Sequence, residues 1–345
     1  MIWIWQAMLA CVFIAPADEE PAPAAQAPPP GGFCVADPIP DDLVPLTAEN
    51  VDQLALVGTL CQPSDRGSIL AMALVGEELA TAGERAGVQL WNPERAQVRT
   101  MAFGAPVHSV SWVEPREMLL LGTGEGEVFG VSLAGKRLWQ ARGRHEGSAN
   151  AAIVRLDQGD VISGGEDGWV RRWSLETGTL LADRNIGSAV ADQVALGKES
   201  VVVCGAELLT HALQAETLQP GRSWARERDT SWALAVRPFA EHLAIGGSRV
   251  TVWEGDLETR FQHPIEGSAR SMAYDPAGDL LAVGTWGGQL LIFDVAARTL
   301  LALRKPNESR VLATTFAPHG RWVATAGDGG MVRIWGVRRS ELEAE

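Results

Sequence analysis

The side chains able to do chemistry in this chain are few and scattered. The histidines stand at 108, 145, 211, 242, 263 and 319. No two have the helical spacing that pairs metal ligands on one face. The four cysteines, Cys11, Cys34, Cys61 and Cys204, include no C-x-x-C pair of the kind that binds zinc. No Gly-rich phosphate loop, H-E-x-x-H or G-x-S-x-G is present. The pieces Glu166-Asp-Gly168 and Gly327-Asp-Gly329 share residue types with calcium loops. They lack the alternating ligands such a loop needs and read as turns. No catalytic residue, metal site or cofactor is therefore expected. What remains is a set of tryptophans and arginines, the residue types that dominate protein–protein hot spots. Trp286 stands out, in the turn Gly284-Thr-Trp-Gly-Gly288, where a large apolar residue has no evident structural reason.

These residues are carried by a repeat. The block Val161-Ile-Ser-Gly-Gly-Glu-Asp-Gly-Trp-Val-Arg-Arg-Trp173 aligns with six others, on Trp91, Val131, Leu213, Trp253, Phe293 and Trp335. The steps are 40, 42, 40, 40, 40 and 42 residues. A fixed period of this length, with Trp closing the third strand of a unit, predicts a β-propeller. Short apolar or alternating segments such as Ser268–Ala273, Leu280–Gly284 and Gln289–Phe293 are bounded by Gly, Pro or Asp, as strands with tight turns are. The expected fold is all-β: a seven-bladed propeller of four-stranded antiparallel blades. The seventh repeat ends at Val337 without an outer strand, and the unassigned segment Leu54–Leu60 is the candidate to supply it and close the ring. Closure removes two exposed sheet edges.

The third block resembles the WD-repeat family. That pattern has a His before the first strand, a small hydroxyl residue on the second, Asp-Gly in the next turn and Trp on the third. The matching residues here are His145, Ser163, Asp167 with Gly168, and Trp173. The resemblance implies a hydrogen-bonded network of these four side chains inside the blade. Other repeats depart from it. The first keeps Trp91 and Thr81 but has Arg85 at the Asp slot; the seventh keeps Trp335 and Thr325 but lacks the His. The second, fourth and sixth place Val131, Leu213 and Phe293 at the Trp slot and must rely on apolar packing. The lead-in Leu46–Leu54 is similar to the segment before the ring in bacterial WD-repeat proteins, which suggests an exported bacterial type.

Seven repeats occupy most of the 345 residues, and a hydrophobic content of 46% is ample for one core. A net charge of −14 argues against nucleic acid or an anionic membrane surface as partner. Residues 1–17 form one apolar run, too short to span a bilayer, with Ala15-Pro-Ala17 as an A-x-A cleavage site. It reads as a secretory signal, or as a lipoprotein signal ending at Cys11, although no Lys or Arg precedes it. A cytoplasmic location is the remaining reading. Residues 18–45 read as a Pro/Ala-rich linker, 46–340 as the propeller and 341–345 as a tail. The N-terminus is then the sole membrane tether, and a monomer is expected. Cys204 sits in the apolar run Val201–Cys204 and reads as a buried thiol. In an exported chain Cys34 and Cys61, flanking the closing strand, could form a disulfide; two free thiols are the alternative.

The resemblance also implies a binding rim, built by the loops entering each first strand and by the turns between second and third strands. Transferring the repeat register puts His108, Asn150, Trp232, Arg270 and Leu312 at equivalent first-strand positions. Trp286 and Asp328 then precede the Asp slot, and Arg310 lies two residues before a first-strand position. Trp232, Arg270, Trp286 and Arg310 thus fall on neighbouring repeats, with strand alternation turning them outward and Trp286 largely exposed. The leading functional reading is a non-catalytic scaffold in the cell envelope that docks a protein or peptide on this rim. The alternatives are an exported enzyme or small-ligand binder using the central channel, and a purely structural envelope component. Expressed with its own N-terminus in a Gram-negative host, the mature chain should begin at Asp18 or at an acylated Cys11. N-terminal mass spectrometry separates these outcomes, and an intact Met1 in the cytosolic fraction counts against both.

Overall fold

Seven antiparallel sheets follow one another along the chain, over residues 69–101, 107–140, 149–185, 190–225, 233–264, 269–304 and 311–338. They are called blades one to seven below. The structure is a computed structural model and describes residues 39–342, apart from 62–66, 85–86, 95–96, 197–198, 206–208, 226–230, 239–241, 255–257 and 306–309. The N-terminal apolar run, the linker as far as 38, Cys11, Cys34 and Arg85 lie outside the described residues, as does the side chain of Cys61. Among the described residues no helix is long and apolar enough to cross a membrane.

Blade three shows the common plan, with strands Ala149–Arg155, Asp160–Gly165, Trp169–Ser174 and Leu180–Asn185 paired in sequence order. The first strand of every blade touches the first strands of both neighbours, and that of blade seven touches that of blade one. The ring is therefore closed. The N-terminal strand Ala55–Cys61 is the fourth strand of blade seven, paired to Met331–Arg338 with Leu56 opposite Trp335.

Each interface between blades holds its own apolar cluster, and strand alternation builds them. In the second strand of blade six, Leu281 and Val283 pack toward blade five with Val250 and Val252. Leu280 and Ala282, on the other face of the same strand, pack toward blade seven with Val323 and Phe316. Such strands are buried on both sides, which is why Leu280–Thr285 reads as a continuous run. Cys204 is buried in the cluster between blades four and five. A buried ion group adds to the contact of blades three and four. Asp160, wholly buried, binds Arg155 at 2.9 Å and also Arg172, and these arginines donate onward to the carbonyls of Ala215 and Glu216.

Two boundaries differ from expectation. The linker expected to reach residue 45 ends earlier: Ile39 and Leu43 are buried, and Leu43–Val44 pairs with Arg338 and Val337. The prolines at 38, 40 and 45 mask this segment, because a two-residue strand is too short to show a period. At the other end Arg339–Leu342 forms a single helical turn rather than part of the ring and a loose tail.

The closing strand makes a paired prediction. Leu60→Ala, at a side chain 1% exposed between blades seven and one, should cost about 2–5 kcal/mol in denaturant unfolding. Leu56→Ala, on the same strand but half exposed, should stay within about 0.5 kcal/mol. Equal costs would mean that the strand is not seated in the ring as described.

Candidate functional site

The first strand of six blades carries an extra residue near its start. Pairing with the second strand jumps from Ile69 to Ala71, Val107 to Ser109, Ala149 to Ala151, Val190 to Asp192, Ala269 to Ser271 and Val311 to Ala313. A bulge of this kind sets two residues against one and re-aims a side chain. Among the extra residues are Leu70, His108, Asn150, Arg270 and Leu312. In blade five Trp232 occupies the matching place, its N–H donating to the Gly246 carbonyl at 2.9 Å.

These six residues, with Asp192 of blade four, surround a cavity of about 280 Å³. All seven blades contribute to it, so it is the mouth of the central channel. The first-strand residues expected to face outward from the rim therefore line the channel instead. The bulge, not simple strand alternation, sets their direction. His108 and Asn150 are half-buried there, joined by Nδ1 to Oδ1 at 3.4 Å.

Trp232, Arg270, Trp286 and Arg310 come together in one stack. The Arg270 guanidinium lies 4.2 Å from the Trp232 ring centre and 4.6 Å from that of Trp286. Arg310 lies 4.8 Å from the Trp286 ring. A cation over an indole face contributes about 0.5–2 kcal/mol, more as water is excluded. Arg310 is held from its other side by Asp328, through two hydrogen bonds of 2.6 Å. That pairing raises its pKa. Burial, and then the charge of Arg310, lower Arg270 to about 10, which leaves it protonated at neutral pH. Trp286 is 37% exposed rather than largely exposed, because two guanidiniums stack on it. They also supply the structural reason for a tryptophan in this turn that the sequence did not show.

The polar residues in and beside the remaining lining join blade to blade. Asn150 Nδ2 donates to the Val190 carbonyl at 2.9 Å, and Ser148 Oγ donates to Asn150 Oδ1 at 2.7 Å. Asp192 accepts the Leu234 N–H at 2.9 Å, Ser111 donates to the Ala152 carbonyl, and the Ser271 and Thr314 hydroxyls meet at 2.7 Å. No motif marks Asp192, Ser271 or Thr314 in the sequence; only their repeat positions connect them.

Behind this mouth lies a buried relay in blade three. Trp173 Nε1 donates to Ser163 Oγ at 2.9 Å, and Ser163 Oγ is 2.8 Å from His145 Nε2. His145 Nδ1 is 2.9 Å from Asp167 Oδ1. Ser163 has one proton, so it donates to Nε2, and His145 is the Nδ1–H tautomer donating to Asp167. The close approach of Arg171 Nη1 to Nδ1 is then not a hydrogen bond, since both groups donate to Asp167. The residue types are those of a hydrolytic triad. Yet Ser163 is wholly buried and already accepts from an indole, so no substrate reaches it. A Cβ on Gly165 would sit 2.3 Å from His145 Nδ1, so that position must lack a side chain. Asp167 also accepts the N–H groups of Glu146 and Trp169, pinning the loop that leads to Ser148 and Asn150. Burial pushes His145 down, against the opposing pull of Asp167. Burial would raise Asp167, but hydrogen bonds from His145 and Arg171 hold it at about 2.

The family model of the WD domain, G-beta repeat, matches residues 299–336, which run from the last strand of blade six through most of blade seven. Echinoderm microtubule-associated protein-like 2 of Rattus norvegicus is 24% identical over 228 residues, covering 64% of this chain and 34% of its own. The Periodic tryptophan protein 2 homolog of Schizosaccharomyces pombe is 30% identical over 115 residues, covering 31% of this chain and 13% of its own. The chain thus spans about a third of the length of the first relative. Among solved structures, the WD40 beta propeller domain of Doa1 superposes with a TM-score of 0.72 at 16% identity, over 83% of this chain and 98% of that one. The chain carries a WD40 repeat and folds as a WD40 β-propeller.

The relay predicts a sign for acid sensitivity. Because His145 is pushed below its ordinary value of 6.5, the unfolded chain takes up that proton first. Its contribution to stability is complete above pH 6.5 and is lost as pH falls below it. Asp167, depressed from 3.8 to about 2, adds a loss as pH falls through that interval. Melting at pH 5.5 should therefore lie below melting at pH 7.5, and the gap should shrink in His145→Gln. Asp167→Ala should cost about 1–3 kcal/mol at pH 7.5 by leaving His145 without its acceptor. A neutral Asp167→Ala would remove the relay from the account of blade three.

Proposed function

We propose that this chain is a non-catalytic scaffold that docks a protein or peptide on the channel mouth at blades five to seven. The observation carrying this reading is the stack of Trp232, Arg270, Trp286 and Arg310, in which Trp232 and Arg270 line the cavity and Trp286 is partly exposed beside them. Pre-ordered aromatic and arginine side chains lose little entropy on binding, which is why they dominate interface energies. WD40 propellers typically serve as protein-interaction scaffolds. The rat relative is named for association with microtubules, themselves protein assemblies, although this chain matches only part of it. The channel lining supports docking over catalysis: Ser111 spends its hydroxyl on a backbone carbonyl, and Ser271 and Thr314 are bound to each other.

The cavity favours a second reading, a small ligand held in the channel. The N-terminal apolar run supports a place in the cell envelope, exported or tethered through that end, with the ring itself facing water. Trp286→Ala decides the docking reading. It should abolish capture of the partner while costing no more than the lost cation–π contacts, about 1–2 kcal/mol. Unchanged capture by a folded Trp286→Ala chain would move the docking surface elsewhere, and global unfolding would mark Trp286 as part of the core.

A further inference from the structure

Around the channel mouth most charged and amide groups have an internal partner, although the buried Ser109 hydroxyl has none among the described residues. Arg310 is bound by Asp328, His108 meets Asn150, Asp192 takes the Leu234 N–H, and Glu166 accepts from Ser148. Arg270 is different. Among the described residues it meets two indole rings and no hydrogen-bond acceptor or carboxylate. Stacking occupies the faces of a guanidinium. Its five N–H donors lie in the plane, at the edge, and are left unused. The group is half-buried and borders the cavity. A desolvated cation with unfilled donors is costly to keep, and the fold supplies nothing to fill them.

We propose that Arg270 is the anchor for an oxyanion, supplied by an acidic side chain of a docked peptide, which enters the channel mouth between Trp232 and Trp286. The planar fork fits the two oxygens of a carboxylate or phosphoryl group. At about 280 Å³ the cavity falls just below the roughly 300–1,000 Å³ of sites for drug-sized molecules, and it suits one inserted side chain. Met72, Met272 and Leu312 on its wall offer apolar contact to the stem of such a side chain. Burial and the neighbouring Arg310 already depress the Arg270 pKa, and a bound anion relieves both effects. This inference rests on the reading of the mouth as a docking surface and adds the charge of what docks there.

The test uses the full chain and a fluorescently labelled hexaglutamate peptide, read by anisotropy, with hexaglutamine as the neutral control. The protein carries a net charge of −14, so an acidic peptide has no non-specific attraction to it. Hexaglutamate should bind, hexaglutamine should not, and Arg270→Gln should weaken binding at least ten-fold. Acetate and inorganic phosphate serve as competitors. Displacement only at far higher concentration assigns the site to a peptide side chain, and displacement at similar concentration assigns it to a free anion; both support the oxyanion site. Equal binding by wild type and a folded Arg270→Gln chain, or no binding of any of the three anions, overturns the proposal. If Arg270→Gln does not fold, Arg270→Lys decides, because it keeps the charge and loses the planar fork. It should bind about ten-fold more weakly, and unchanged binding overturns the proposal. A natural partner captured equally by wild type and Arg270→Gln, yet lost from Trp286→Ala, would leave docking intact and remove only the anion.

Discussion

No blade of this ring can cover its own faces. Each second strand is apolar on both sides, so each blade must be sandwiched, and the last must meet the first. That demand for mutual burial outranks the polar features by which such blades are recognised. Trp91 and Trp335 bind a threonine hydroxyl, at 2.9 and 3.0 Å, where Trp173 binds a serine. In blade five the hydroxyl position holds Ile245, and the Trp253 N–H has no partner among the described residues. At the Trp slot blades two, four and six place Val131, Leu213 and Phe293, each fully buried. The hydrogen-bonded relay is one way to fill a blade; the apolar contact between blades is common to all.

The same closure creates the channel and determines what lines it. Seven first strands converge on one axis, and in six of them a bulge near the start re-aims the chain; in blade five Trp232 takes the matching place without one. In blades two and three these positions join neighbours, His108 meeting Asn150 and Asn150 the Val190 carbonyl. In blades five to seven they are instead occupied by a tryptophan, an arginine and a leucine. Turn residues Trp286 and Arg310 then extend the group outward, and Asp328 fixes its end by binding both Arg310 and Ser68. The rim and the channel, two separate candidate surfaces in the sequence, meet at Trp232 and Arg270, which line the cavity and stack toward Trp286.

The ring was legible because a forty-residue period survives even where Trp gives way to Leu or Phe. The closing strand was legible because one repeat lacked a partner and one apolar segment lacked a blade. The four members of the Trp–Arg group were found from repeat register alone. Their mutual stacking was not, since cation–π geometry depends on the bulge, and a bulge leaves no composition signal in these strands. Leu43–Val44 escaped for a different reason: prolines on both sides made a packed segment look like a tether. The Asp160 ion group was hidden as well. A lone carboxylate between strands looks like a turn residue until the two arginines that face it are placed in space.

The strand Ala55–Cys61 pairs with Met331–Arg338, almost the whole length of the chain away. On the ribosome this strand emerges before all seven blades and finds its partner after six of them. Blades one to six can assemble from local hairpins as they appear, in the order of synthesis. Meanwhile Ala55–Cys61 waits with an open edge that Met331–Arg338 covers once it is made. The slow step of assembly is then the pairing of Ala55–Cys61 with Met331–Arg338, and a synthesis arrested before residue 331 leaves the ring unclosed.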